Sequence, residues 1–213
     1  MSQSVAVLPH QITYASYDGE EGKLAFRDIN ELAPLVQFLL CCGPFNDIER
    51  AKAILPAVMS QLPAGRTVAD LRLQGPEFRA LDWAARMGNQ DVVQWFCEDE
   101  RLKGCLKVGA AIGWACYTNH VDVAKLLLRH GASPTATDTV LFGNKPPLFM
   151  AAEAGRLLAL QWLVDEVGQD INMVSPVHGN VIRAIKDPLR ASGVFPPEHK
   201  KCLEWALARG ARE

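Results

Sequence analysis

The sequence predicts an all-α solenoid of about four to five stacked helix-turn-helix repeats, with degenerate repeats at both ends. Three observations favour this fold. Segments of the chain align with one another at a period of about 33 residues, each segment carries two adjacent small residues followed by Gly or Asn, and an apolar stripe with helical spacing comes next. With 49% hydrophobic and 22% charged residues, the composition is that of a folded chain.

Three clear repeats are predicted within residues 76–172. Leu81, Ile112 and Leu148 fall in register, which sets offsets of 31 and 36 residues between successive repeats. Small side chains let neighbouring helices approach closely, and a Gly or Asn supplies the left-handed backbone conformation that ends the first helix. Because one unit buries too little apolar surface alone, the units are expected to stack. The small pairs are Ala84-Ala85, Ala115-Cys116 and Ala151-Ala152, and the turn residues are Gly88, Asn119 and Gly155.

The strongest single motif is Val121–Pro134, which reads Val-Asp-Val-Ala-Lys-Leu-Leu-Leu-Arg-His-Gly-Ala-Ser-Pro. Pro146-Pro-Leu148 carries the opening half of the next repeat, and Asp170-Ile-Asn172 its closing hairpin. These segments resemble the ankyrin repeat, whose pattern runs T-P-L-H-x-A-A, G-H, V-V-x-L-L-L and then G-A before a hairpin turn. No repeat of this chain keeps the T-P-L-H tetrapeptide. The resemblance therefore implies junctions between repeats that depend more on apolar packing than those of a consensus array.

Both ends of the chain match the repeat less well, which is typical of capping repeats. Residues 1–30 match nothing and are assigned to an N-terminal extension or cap. Residues 31–75, which include Ala33-Pro-Leu35, are assigned to a degenerate first repeat and its connector. Residues 173–213 are assigned to a degenerate C-terminal capping repeat that is split by an insertion around Ser192–His199.

The residues that catalysis would need have simpler interpretations here. The six cysteines form no CxxC pair, and Cys41-Cys42 is interpreted as two small apolar residues inside a helix. The five histidines are scattered, and no phosphate-binding glycine loop or G-x-S-x-G motif is present. The sequence therefore predicts no enzyme, no metal site and no cofactor.

The tryptophans suggest binding hot spots, but the repeat favours a core position. Trp95, Trp162 and Trp205 occupy a position of the second helix that is Leu126 in another repeat, so they are expected to be buried. Two others, which precede the small pair, are expected to be half buried: Trp83 and Trp114.

The resemblance implies that partners bind on the concave side, which in the family is formed by the hairpins and the exposed end of each first helix. Transferring those positions to this chain gives eight candidate side chains on three successive repeats. Aromatic, Arg and Met side chains on a rigid surface are typical of binding hot spots, and a preformed surface loses little entropy on association. The candidates are Phe78, Arg86, Met87, Tyr117, Thr118, Phe142, Lys145 and Glu153.

The sequence predicts a protein-protein interaction module, an adaptor or scaffold that binds another protein and is itself monomeric. One alternative is an intracellular effector or inhibitor that blocks a partner enzyme. A second is an enzyme or small-molecule binder that uses the N-terminal 75 residues. A nucleic-acid binder would need a basic stripe of Arg101, Lys103 and Lys107, and the formal net charge of −2 disfavours it.

The expected location is the cytoplasm, with the nucleus also open, and no membrane contact is predicted. No apolar run approaches the roughly 18 residues of a membrane helix. Met1–Ile12 lacks the pattern of a secretory signal, and the cysteine spacing is typical of a reducing compartment.

Overall fold

The computed structural model describes residues 11–15, 21–25, 34–71, 79–108, 110–137 and 145–212, with backbone alone for the first two segments and for 188–192. These residues form five helix pairs, which confirms the predicted all-α repeat solenoid. The pairs are α1 (Pro34–Cys42) with α2 (Ile48–Ser60), α3 (Ala80–Met87) with α4 (Gln90–Glu98), α5 (Ala111–Tyr117) with α6 (Val121–Arg129), α7 (Pro147–Glu153) with α8 (Leu157–Gln161), and α9 (Val181–Ser192) with α10 (Pro197–Ala208).

Smaller elements connect or extend these pairs. Helix α8 continues as a π-helical turn at Trp162–Glu166, and short 3-10 turns lie at Val68–Asp70 and Lys103–Lys107. Two antiparallel hairpins are described. They pair β1 (Gln11–Ala15) with β2 (Glu21–Ala25), and β3 (Val174–Ser175) with β4 (Gly179–Asn180).

The turn between the helices of a pair follows the sequence prediction. Gly88 and Asn119 adopt the left-handed conformation, with φ of 73° and 68°. The next backbone N–H then folds back on the helix, so that His120 donates to the carbonyl of Ala115 at 2.8 Å. This arrangement satisfies carbonyl groups that the end of the first helix would otherwise leave without a partner.

The helices form two rows. In the first-helix row (α1, α3, α5, α7 and α9), each helix packs on its neighbours along the whole array. The small pairs Ala84-Ala85, Ala115-Cys116 and Ala151-Ala152 are fully buried there, as the sequence predicted. In the second-helix row (α2, α4, α6, α8 and α10), α4 packs on α6 and α8 packs on α10, whereas α2 with α4 and α6 with α8 make few contacts.

One continuous apolar core runs through the described repeats. Trp95 and Trp162 are buried in it, which confirms the prediction for them, and Trp205 on the last helix is half-buried. Trp83 and Trp114 are 3% and 1% exposed, so the expectation that they are half buried was wrong. Neighbouring first helices cover their rings more completely than the position within a single repeat indicates.

Polar ties join the turns of successive repeats. Asn89 donates through Nδ2 to the carbonyls of Cys42 and Gly43 at 2.8 and 2.6 Å, and Arg156 donates through Nε to the carbonyl of Tyr117 at 2.9 Å. His199 bonds through Nε2 to the carbonyl of Glu153 at 2.7 Å. Although the missing T-P-L-H tetrapeptide implied a greater dependence on apolar packing, other residues supply hydrogen bonds at these turns.

The last helix pair contains no long inserted loop. Residues 192–199 comprise the end of α9, a four-residue connection and the first turn of α10, where His199 is buried. At the other end of the pair, Asn172 donates to the carbonyl of Gly210 at 3.2 Å and accepts from the backbone N–H of Arg212 at 2.9 Å. These bonds fix the C-terminal residues against the start of the β3–β4 hairpin.

Candidate functional site

Arg86 was predicted to be an exposed contact, and the structure contradicts this. Its side chain is buried, with 5% of the residue exposed, and its guanidinium carbon lies 4.9 Å from the ring centroid of Trp114 and 6.0 Å from that of Tyr117. Burial lowers the pKa of Arg86, although the group stays cationic. A cation over aromatic rings is a favourable contact, so Arg86 serves to join α3 to α5.

Met87 and Thr118 mark the C-terminal ends of two successive first helices. Met87 is 36% exposed, which makes it one of the large apolar side chains that remain accessible in the described residues. Thr118 is half-buried, and its Oγ1 donates to the carbonyl of Trp114 at 3.0 Å. The hydroxyl is therefore hydrogen-bonded within its own helix.

The stacking of α3, α5 and α7 brings Tyr117 close to Arg86 and to Glu153, and Glu153 in turn pairs with Lys145. Tyr117 meets the edge of Trp114, with ring centroids 5.9 Å apart, and its pKa is raised by burial and, to a smaller degree, by Glu153. Lys145 forms an ion pair with Glu153, and the two side chains are only 11% and 23% exposed. This pair is neutral as a unit, so a partner would meet it as a hydrogen-bonding surface.

Two of the eight candidates, Phe78 and Phe142, lie outside the described residues. Of the other six, Arg86, Tyr117, Lys145 and Glu153 form a cluster across three repeats, and Met87 and Thr118 flank it. We call Met87, Tyr117, Thr118, Lys145 and Glu153 the first-helix surface, and the buried Arg86 lies beneath it. Its chemistry is aromatic and polar, and its two charged side chains, Lys145 and Glu153, are paired with each other.

The cysteines are buried, and burial raises the pKa of their thiols. All six are free and buried, and burial raises the pKa of the Cys41 thiol to about 12 and that of Cys97 to about 11. Cys42, beside Cys41 in α1, is also shifted upwards by burial, so its pKa lies well above the ordinary value. The thiolate is the reactive form, and these thiols stay protonated at neutral pH. Within the described residues, no three His, Cys, Asp or Glu side chains are placed to hold a metal ion.

The basic stripe that a nucleic-acid binder would need is neutralised. Arg101 pairs with Asp99, whose pKa falls to about 2 through this hydrogen bonding, and Lys103 pairs with Glu100. Lys107 is exposed nearby. A single cation beside two ion pairs is not the continuous positive surface that binds phosphates. None of the described helices is long and apolar enough to span a bilayer.

A groove in the second-helix row was not predicted from the sequence. Where α6 and α8 separate, two hollows of about 480 and 580 Å³ adjoin each other and share Gln90, Asp122, Lys125, Trp162 and Glu166 as lining residues. The Lys125 ammonium bridges the groove to the Glu166 carboxylate at 2.9 Å.

Comparison with known families agrees with the repeat architecture. A family model described as "Ankyrin repeats (3 copies)" matches residues 25–138 and 81–175, which together span more than two thirds of the chain. The matched region includes the three predicted repeats and the first helix pair. Ankyrin repeats are in general protein-protein interaction modules. The chain therefore belongs to the ankyrin-repeat family.

Proposed function

We propose that this chain is an adaptor that binds a partner protein through the first-helix surface. The observation that carries the proposal is the alignment of Met87, Tyr117, Thr118 and Glu153 at the ends of successive first helices, each at least partly exposed. Side chains in such a row reach a partner together, because the helices beneath them are fixed by close packing.

The composition of the surface indicates what recognition would use. Tyr and Met supply apolar contact area with adaptable shape, and the Lys145–Glu153 pair supplies donors and acceptors at one edge. Arg86 supports this surface from below by stacking on Trp114. Binding would depend on shape and hydrogen bonding, with no covalent chemistry.

A matched pair of methionines tests the surface. Met87, at the end of α3, is 36% exposed, and Met59, near the end of α2 in the second-helix row, is 38% exposed. We expect affinity capture from the source cell, read by mass spectrometry, to recover a partner with the wild type and with Met59→Lys. Met87→Lys should lose that partner, because a charge would enter the contact.

The outcome separates the surface from general effects of a new charge. If both variants retain the partner, or if Met59→Lys loses it equally, the first-helix surface is not where the partner binds. Thermal unfolding of both variants is the accompanying control, since both side chains are accessible and neither change should alter the midpoint greatly. Arg86→Ala is unsuitable here, because it removes a buried side chain and would disturb the α3–α5 contact.

A further inference from the structure

We propose that the groove between α6 and α8 is a second docking site, which binds a protein segment carrying a Lys or Arg beside an apolar side chain. This site lies on the second-helix row, so it is separate from the first-helix surface. It would let the chain hold two partners at once, or hold one partner at two points.

The groove lies where neighbouring first helices are in close contact but neighbouring second helices are not. The first helices α5 and α7 pack closely, while the second helices α6 and α8 make fewer contacts with each other than α4 makes with α6 or α8 makes with α10. The junction therefore opens as a wedge towards the second-helix side. Each hollow, at about 480 and 580 Å³, has room for a few side chains of an incoming segment.

The end of the groove next to the turns is acidic. Asp122, Asp165 and Glu166 line this end together with one cationic side chain, Lys125, whereas the exposed Arg129 lines the adjoining hollow. Glu166 is paired with Lys125 and Asp165 with Arg209, but the exposed Asp122 carboxylate has no hydrogen bond or ion pair within the described part of the chain. A ligand cation is the group that would complete this arrangement.

His120, which lines the same end, does not supply that cation. Its pKa is lowered first by burial and then by the nearby Arg156, so the ring is neutral at physiological pH. The acidic character of this end of the groove therefore persists near neutral pH.

The groove also offers apolar surface beside the carboxylates. Leu158 is 61% exposed on its wall, and Trp162 lies beneath with 4% exposed. An apolar side chain that covers Leu158 would remove it from water, and a neighbouring Lys or Arg would reach Asp122. A nucleic acid would be repelled by the same carboxylates, so a protein segment is the occupant that the charges favour.

The chain contains its own control for this site. Asp91 occupies the second position of α4, as Asp122 does in α6, and it is also exposed. It is absent from the lining of both hollows. A peptide attracted by charge alone would respond to both carboxylates, whereas a peptide bound in the groove would contact only Asp122.

A display library of random short peptides, selected on the immobilised full chain at about physiological ionic strength, tests the proposal. We expect the selected peptides to place Lys or Arg next to an apolar residue. Their affinity should fall roughly threefold to tenfold with Asp122→Asn and with Leu158→Ser, because each change removes one of the two contacts. Asp91→Asn and Met87→Lys should leave the affinity unchanged.

Other outcomes would overturn the inference. The inference would be wrong if acidic peptides were enriched or if no peptide were enriched. It would also be wrong if both groove variants, Asp122→Asn and Leu158→Ser, bound the selected peptides as well as the wild type does. An equal loss with Asp91→Asn would show general attraction to an acidic protein. Because Met87→Lys disables the first-helix surface alone, failure of this proposal and failure of the adaptor proposal give different results.

Discussion

The two helix rows differ in how they are joined. In the first-helix row, small pairs bring α3, α5 and α7 together, and Trp114 is 1% exposed between them. In the second-helix row, partly exposed ion pairs such as Lys125–Glu166 and Arg209–Asp165 cross from one repeat to another. Close packing contributes far more to stability than exposed ion pairs do. The first row therefore provides the closest packing between repeats, and the second row varies more in how its neighbouring helices contact each other.

The largest effect is expected from Trp114→Ala. Removing this ring leaves a cavity between first helices and deprives Arg86 of its aromatic contact, at a cost of about 3–5 kcal/mol in the free energy of unfolding. Trp205→Ala, on the half-buried ring of α10 in the second row, should cost less than half as much. Urea unfolding of both variants measures the difference, and equal losses would contradict the division between the rows.

A pair of glycines gives the next largest contrast. Gly88 ends a first helix with φ of 73°, and an added Cβ would lie 2.6 Å from the His120 ring. Gly131 follows a second helix with φ of 89° and open space around it. Gly88→Ala should cost roughly 2–3 kcal/mol, from backbone strain plus the collision, while Gly131→Ala should cost about 1 kcal/mol from strain alone. A reversed order in thermal unfolding would show that the ends of the first helices tolerate rearrangement.

Much of the difference between the two helix rows was predictable from the sequence, and some of it was not. The small pairs and the turn residues Gly88 and Asn119 follow from periodicity, because their roles depend on positions within one repeat. The burial of Arg86 does not, since Trp114 and Tyr117 of the next repeat cover it. Alignment gives a residue its place in a repeat, but side chains of the neighbouring repeat decide its exposure.

The groove and the hydrogen bonds between repeats were not predictable for the same reason. The hydrogen bond from Asn89 to Cys42 joins residues 47 positions apart, and no local pattern indicates it. The separation of α6 from α8 is likewise a property of two repeats together. The candidate Phe78 and Phe142 contacts stay predictions, since they lie outside the described residues.

A smaller effect is expected where an ion pair crosses the second row. Lys125 and Glu166 are 40% and 59% exposed, so Lys125→Met should change the free energy of unfolding by less than about 1 kcal/mol. High salt should reduce even that difference, because exposed charges are screened. Chemical unfolding at low and high ionic strength checks both statements, and a loss above about 2 kcal/mol would show that the second row also maintains the array.

The smallest effect concerns pH. The folded-state pKa of His120 is lowered from 6.5 by burial and by Arg156, so the unfolded chain binds a proton more readily. The contribution of neutral His120 to stability is therefore complete above about pH 6.5 and decreases as the pH falls through the folded-state pKa. Compared with His120→Gln, the wild type should lose its advantage in melting temperature on acidification. If the difference in melting temperature between the wild type and His120→Gln grew at low pH, the folded-state pKa of His120 would instead be raised.

The six buried thiols can report local unfolding of the repeats that contain them. Cys41 and Cys42 lie in the first helix pair, Cys97 and Cys105 belong to the second, Cys116 to the third and Cys202 to the fifth. A thiol reagent reaches each of them only after its surroundings open, and in a repeat array neighbouring units need not open together. The rates at which the individual cysteines are labelled would show the order in which the repeats unfold. The fourth repeat contains no cysteine and would not be labelled.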